Sequence, residues 1–134
     1  MAYILVTNND QVYQMYSEGN DRLLKKIDYL PEKDLLAVLI HVRDLIHQGH
    51  ELLTHPLTGS IKPYETPFKS ICINADKGPV DFSSVTIIEG AIATAEKFLK
   101  DKRPIDYPES ILEDFRLIDL SLINSGVESI REFG

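Results

Sequence analysis

The sequence has no tryptophan, a single cysteine and no long hydrophobic run. Cys72 alone cannot form an internal disulfide, and such scarcity of cysteine is typical of proteins of the reducing cytosol. The longest uninterrupted apolar run covers only residues 35–40, far short of the ~20 residues that a transmembrane helix needs. The chain does not begin with a basic segment followed by an apolar stretch. We therefore expect no secretory signal and a cytoplasmic location.

Basic residues are also scarce, with 14 Lys and Arg against 21 Asp and Glu and a net charge of −7. An acidic chain repels phosphate backbones, so we expect neither nucleic acid nor a membrane as partner. The excess acid lies outside residues 41–70, which carry three basic and three acidic residues and all four histidines. That segment is neutral and is therefore compatible with an anionic small ligand.

Apolar periodicity predicts strands alternating with helices. We predict strands at 2–7, 23–30, 51–55 and 68–74, and helices at 10–16, 32–48 and from 81 to about 103. A last helix from Pro108 is predicted to bury five apolar side chains and to be interrupted at 124–126; these side chains are Ile111, Leu112, Phe115, Ile118 and Leu122. The predicted fold class is α/β: a single three-layer domain over residues 1–134, with a small, mostly parallel sheet flanked by helices. Residues from about 105 to 134 form a C-terminal helical extension.

Polar residues follow two of the predicted strands. Asn8 and Asn9 come after the first strand, and Thr54 and His55 end the third. Because ligands of parallel sheets collect at the carboxyl ends of the strands, these residues are candidates for one site.

Residues 41–67 permit three functional interpretations and a structural one. His47 and His50 are three residues apart, but Gly49 is expected to end the helix between them, and no Cys or paired carboxylates accompany them, so we predict no metal site. The loop from Thr54 to Lys62 combines hydroxyls, a glycine and a cation, which suits an anion. His55 could act as an acid or base beside Asp44 or Glu65, but no nucleophile motif supports catalysis. The structural alternative is a rigid surface loop whose hydroxyls satisfy turns.

Several segments of the sequence carry a resemblance to one family: 6–9, 42–47, 49–50, 52–57, 59–60, 62–63 and 65–67, with a weaker trailing part at 88–89 and 91–92. They resemble the GrdX family, whose members are small proteins encoded beside the glycine, sarcosine and betaine reductase components of amino-acid-fermenting anaerobic bacteria. The similarity covers residues 4–92 and leaves the C-terminal helix outside. Where members often have Asn-Asn-Pro, this chain has Asn8-Asn9-Asp10. The resemblance implies a role accessory to a reductase pathway, and it implies no reaction and no cofactor.

We therefore predict an accessory or regulatory protein that binds a small anionic ligand or a reductase component at the 54–67 loop. The alternative is a small enzyme that uses His55 as acid or base, with or without a metal. The sequence leaves self-association open. The predicted ligand-binding residues are Asn8, Asn9, Arg43, His50, Thr54, His55, Thr58, Gly59, Ser60, Lys62 and Glu65.

Overall fold

The computed structural model describes residues 1–57, 66–101 and 106–133, which contain three strands and four helices. In chain order these are β1 (Tyr3–Thr7), α1 (Asp10–Glu18), β2 (Leu24–Tyr29), α2 (Leu35–His47), β3 (Ser70–Asn74), α3 (Phe82–Asp101) and α4 (Glu109–Phe133). The α/β class predicted from the sequence is confirmed.

The three strands form one mixed sheet in the order β2-β1-β3. β1 is parallel to β2 but antiparallel to β3, so the expectation of a mostly parallel sheet is wrong for β3. The antiparallel register pairs Thr7 with Ser70 and Tyr3 with Asn74. Ser70, the first residue of β3, therefore lies beside Thr7, at the carboxyl end of β1.

The sheet carries a hydrophobic cluster on each face, because side chains of a strand point alternately to opposite sides. Ile4 and Val6 of β1 pack in one cluster with buried residues of α2 and α3, whereas Tyr3 and Leu5 pack in the other with residues of α1 and α4. Helices thus contribute apolar side chains to both faces. The three-layer arrangement itself stays a prediction.

The helix predicted from residue 32 begins later, at Leu35. Pro31 lies in a β-turn instead, in which the Lys33 amide donates to the Leu30 carbonyl at 3.2 Å and Glu32 has a φ of 69°. Proline at the second position and a positive φ at the third define a type II turn. Asp34 then caps the helix by accepting the Ala37 amide at 2.8 Å.

The strand predicted at 51–55 is only an isolated bridge between Leu52 and Ile73. The amides of Leu53 and Thr54 both donate to the Cys72 carbonyl, at 3.0 and 3.3 Å. The Thr54 hydroxyl accepts the Cys72 amide at 2.9 Å, taking the place of a backbone carbonyl in a regular ladder. A side chain thus interrupts the regular backbone pairing that a strand requires.

The predicted interruption of the last helix at 124–126 is also wrong, since α4 runs continuously over 25 residues. Gly126 lies within it because the helix approaches Thr54 closely: a Cβ at Gly126 would lie 2.8 Å from the Thr54 methyl group. The buried face of α4 includes Asp119 and Ile123, while Ile118 and Leu122 are exposed.

None of the helices in the described parts of the chain combines the length and the apolar character of a membrane span.

Gly49 provides a test of the close packing after α2. Its φ is 109°, and a Cβ there would lie 2.2 Å from the Gly78 carbonyl oxygen. We expect Gly49→Ala to lower the free energy of unfolding by about 2–4 kcal/mol, since both backbone strain and a clash result. Urea denaturation monitored by circular dichroism measures it.

The matched control is Gly90→Ala in α3, where a Cβ would meet nothing within 4 Å. Alanine there should stabilise the protein by about 0.5–1 kcal/mol, since glycine is the poorer helix former. Equal effects of the two substitutions would contradict this account.

Candidate functional site

Asn8 joins three segments at the carboxyl end of β1. Its side-chain amide donates to the carbonyls of Lys33 and Pro67, at 2.7 and 2.8 Å, and its side-chain oxygen accepts the Lys69 amide at 2.8 Å. The residue is 7% exposed. Asn8 therefore holds together the segments that precede α2 and β3.

Asn9 connects α1 with α4. Its side-chain oxygen caps α1 by accepting the Gln11 amide at 3.1 Å. Its side-chain nitrogen donates to the Arg116 carbonyl at 2.9 Å and to Asp119 Oδ2 at 3.0 Å. Asn9 is fully buried, so it positions α4 against the end of β1.

Asp119 is the buried end of a directed chain of hydrogen bonds. The Ser70 hydroxyl donates to Asp119 Oδ2 at 2.7 Å, and its oxygen lies 2.7 Å from the Thr7 hydroxyl. A hydroxyl has one proton to donate, so with Asp119 ionised Thr7 must donate to Ser70. Thr7 in turn accepts the Asn9 amide at 3.0 Å. The backbone of Asn9, the residue that caps α1, is thus linked to the carboxylate of α4 through two hydroxyls.

Two charged residues of opposite sign are buried beside this chain of hydrogen bonds. Burial raises the pKa of Asp119, although hydrogen bonds from Asn9 and Ser70 and the nearby Lys69 charge oppose the rise. Burial lowers the pKa of Lys69, and the attraction of Asp119 opposes that change. The raised pKa of Asp119 and the lowered pKa of Lys69 both favour the neutral form of the side chain, as expected when charged groups lose their hydration.

Lys69, Ser70 and Asp119 line a cleft of about 230 Å³ together with Thr54 and His55. Its apolar lining includes Leu53 and, from α4, Leu122 and Ile123. We call this site the polar cleft. It combines a cation, a carboxylate, an imidazole and the hydroxyls of Thr54, Ser70 and Ser129, the kinds of group expected to orient a small polar ligand.

The two predicted residues that line the polar cleft are held by local contacts. The Thr54 hydroxyl accepts the Cys72 amide, as described above. His55 is exposed, and its Nδ1 lies 3.1 Å from the Leu57 amide and 2.6 Å from the Leu57 carbonyl oxygen. The backbone of the next residues therefore fixes the orientation of this imidazole.

Arg43 and His50 do not line the polar cleft. Arg43 lies on α2, where its Nε is 3.6 Å from Asp44 and 4.0 Å from Glu89. His50 is 5% exposed, and its Nδ1 lies 2.8 Å from the Asn74 carbonyl oxygen. The structure therefore does not bring these two residues together with Thr54 and His55 in the polar cleft.

The two histidines considered as metal ligands have different neighbours. His47 is exposed with its Nε2 3.8 Å from Glu89, whereas His50 is buried against the Asn74 carbonyl. Across residues 1–57, 66–101 and 106–133, no group of three or more His, Cys, Asp or Glu could hold a metal ion.

Five further predicted residues lie outside the described residues. These are Thr58, Gly59, Ser60, Lys62 and Glu65.

The ligand-binding residues predicted from the sequence did not include Lys69, Ser70 or Asp119. The sequence did contain a pattern that indicates a buried Asp119. Asp119, Ile123 and Val127 are spaced four residues apart, and all three lie on the buried face of α4. A carboxylate among apolar residues at helical spacing must be paired or functional, since an unpaired buried charge is costly.

The fold and the polar cleft define a small α/β protein with two oppositely charged residues buried beside a surface opening. The family model of the GrdX-like protein matches residues 4–128, so the chain belongs to the GrdX-like protein family. The match extends through most of α4, whereas the resemblance based on the sequence ended at residue 92. No curated protein and no solved structure matches the chain.

The raised pKa of Asp119 predicts a specific pH dependence of stability. The folded protein binds the Asp119 proton more tightly than the unfolded chain does, so this residue makes stability fall as pH rises between its unfolded and folded pKa values. We expect Asp119→Asn to remove this contribution while keeping an oxygen that accepts from Asn9 and Ser70.

Urea denaturation of both proteins from about pH 4 to about pH 8 measures the effect. The unfolding free energy of the wild type minus that of Asp119→Asn should decrease as pH rises and then level off. Asp21 and Asp28, whose pKa values are lowered, titrate in both proteins and cancel in this difference. A difference independent of pH would contradict the prediction.

Proposed function

We propose that this chain is an accessory protein of a reductase of the glycine reductase type, and that it binds a small anionic ligand in the polar cleft. Membership of the GrdX-like protein family supports the accessory role. The ligand-binding role is supported by the chemistry of the cleft. The proposed site keeps Thr54 and His55 from the sequence-based prediction and adds residues of β3 and α4.

The observation that carries the anion proposal is the burial of Lys69, which is 7% exposed and lines the cleft. A desolvated ammonium has lost favourable hydration, so an anion that reaches it replaces those interactions where the dielectric constant is low. The Thr54 hydroxyl lines the same cleft; its oxygen accepts the Cys72 amide, which leaves its proton to donate to such a ligand.

Asp119 lowers the affinity of the polar cleft for an anion, because this residue lines the same cleft. When ionised it repels an anion, and when protonated it does not. Its raised pKa eases protonation, so the folded protein lessens this repulsion as pH falls.

Two substitutions with opposite expected effects test the proposal. Isothermal titration with sulfate, which keeps its charge across this pH range, measures the affinity. Lys69→Met should abolish binding, whereas Asp119→Asn should tighten it about tenfold at neutral pH by removing a negative charge. Lys97→Met, which alters an exposed lysine of α3, should bind sulfate like the wild type.

The opposite signs separate ligand electrostatics from damage to the fold, since a misfolded variant cannot bind more tightly. Absence of sulfate binding to the wild type, or equal binding by Lys69→Met, would count decisively against an anion site. Titration with small carboxylates and amino acids then defines the ligand class.

The accessory role has a separate test. Purified reductase components are assayed for turnover with and without this chain, and their association is followed by sedimentation. We expect association with a component or a change in turnover. If neither occurs, the accessory role is wrong even where sulfate binding holds.

A further inference from the structure

β2 lies at the edge of the sheet, where only β1 pairs with it among the described strands. The Leu30 amide donates to the Thr7 carbonyl at 2.8 Å, so the backbone of Leu30 faces β1. Because backbone groups of successive strand residues point in alternate directions, those of Ile27 and Tyr29 face outward. Such an edge is a template for a further strand.

The charges of β2 are complementary to those of a second copy. Lys26 and Asp28 lie on the same face, with Lys26 Nζ 3.1 Å from Asp28 Oδ1, and the Lys26 side chain is 59% exposed. If two copies of β2 pair antiparallel about Ile27, Lys26 lies opposite Asp28 of the partner subunit, and the reverse contact forms by symmetry. Oppositely charged residues directly across a sheet attract.

Neighbouring registers are unfavourable. Pairing centred on Lys26 places two lysines opposite each other, and pairing centred on Asp28 places two carboxylates opposite each other. Like charges in these positions destabilise a pair. In the register centred on Ile27, the outward amide and carbonyl of Ile27 in one copy meet the carbonyl and amide of Ile27 in the other. Two backbone hydrogen bonds form there.

The regular part of the β2 edge begins after Lys25. The pairing of β2 with β1 shifts register there, since Tyr3 pairs with Leu24 and Ile4 with Lys26. At the other end of β2, the Tyr29 ring stacks on Tyr13 of α1 with ring centres 4.3 Å apart and planes 6° apart. Pairing about Ile27 therefore rests on Lys26, Ile27 and Asp28, which follow the irregularity.

We propose that this chain forms a two-fold symmetric dimer through antiparallel pairing of β2 about Ile27, which joins two three-stranded sheets into one. The occupant of the edge is a second copy of the same chain. This dimer is independent of the proposed ligand and does not involve the polar cleft.

A charge-reversal series measured by sedimentation velocity over a range of protein concentrations tests the proposal. Lys26→Glu should raise the dimer dissociation constant about tenfold or more, since two attractive pairs become repulsive. The double variant K26E/D28N removes the repulsion while keeping an oxygen that accepts from His41 Nε2, 2.8 Å away in the wild type, and should restore dimerisation part of the way to the wild-type value. Lys77→Glu makes the same charge change in an exposed turn and should have no effect.

Hydrogen exchange locates the contact. The amides of Ile27 and Tyr29 should gain protection as the protein concentration rises, while those of β3 should not change. A wild type that stays monomeric at every concentration would overturn the proposal, and Lys25 and Lys26 would then serve to keep the edge unpaired. A dimer that is insensitive to Lys26→Glu, or one that protects other segments, would overturn it equally.

Discussion

The need to satisfy a buried carboxylate determines how the elements around the polar cleft meet. Asp119 accepts hydrogen bonds from Asn9 at the start of α1 and from Ser70 at the start of β3. A charge removed from water must be compensated locally, because its lost hydration is costly. The positions of α1, β3 and α4 are therefore linked by one chemical requirement as well as by the apolar contacts of their cluster.

The antiparallel direction of β3 makes this arrangement feasible. It places Ser70, the first residue of the strand, beside Thr7, the last residue of β1. A β3 parallel to β1 would bring the other end of the strand, Asn74, to this edge. The hydroxyl that connects Thr7 to Asp119 would then lie at the far end of the sheet.

The sequence predicted those parts of the fold that depend on local periodicity. The apolar spacing of α2 and α3 identified buried residues such as Val42 and Ile88. In α4 it was wrong for three of the five apolar residues. Ile111, Ile118 and Leu122 are exposed, whereas Leu112 and Phe115 are half-buried, and Asp119 and Ile123 occupy buried positions. Local periodicity assigns an aspartate to the exposed face of a helix. The burial of Asp119 depends instead on Ser70 and Asn9, which are 49 and 110 residues away in the chain. Of the residues that line the polar cleft, the sequence predicted only Thr54 and His55, because the others come from segments that are distant in the chain.

The two buried charges give the proposed anion site a consequence beyond binding. Lys69 attracts Asp119 and opposes the rise in its pKa. An anion at Lys69 would offset that attraction, so binding should favour protonation of Asp119 and take up a proton. Protonation in turn weakens the hydrogen bonds that Asn9 and Ser70 donate, because bonds to an ionised acceptor are stronger. Occupancy of the proposed anion site is therefore expected to weaken the hydrogen bonds by which Asp119 joins α4 to Asn9 and Ser70.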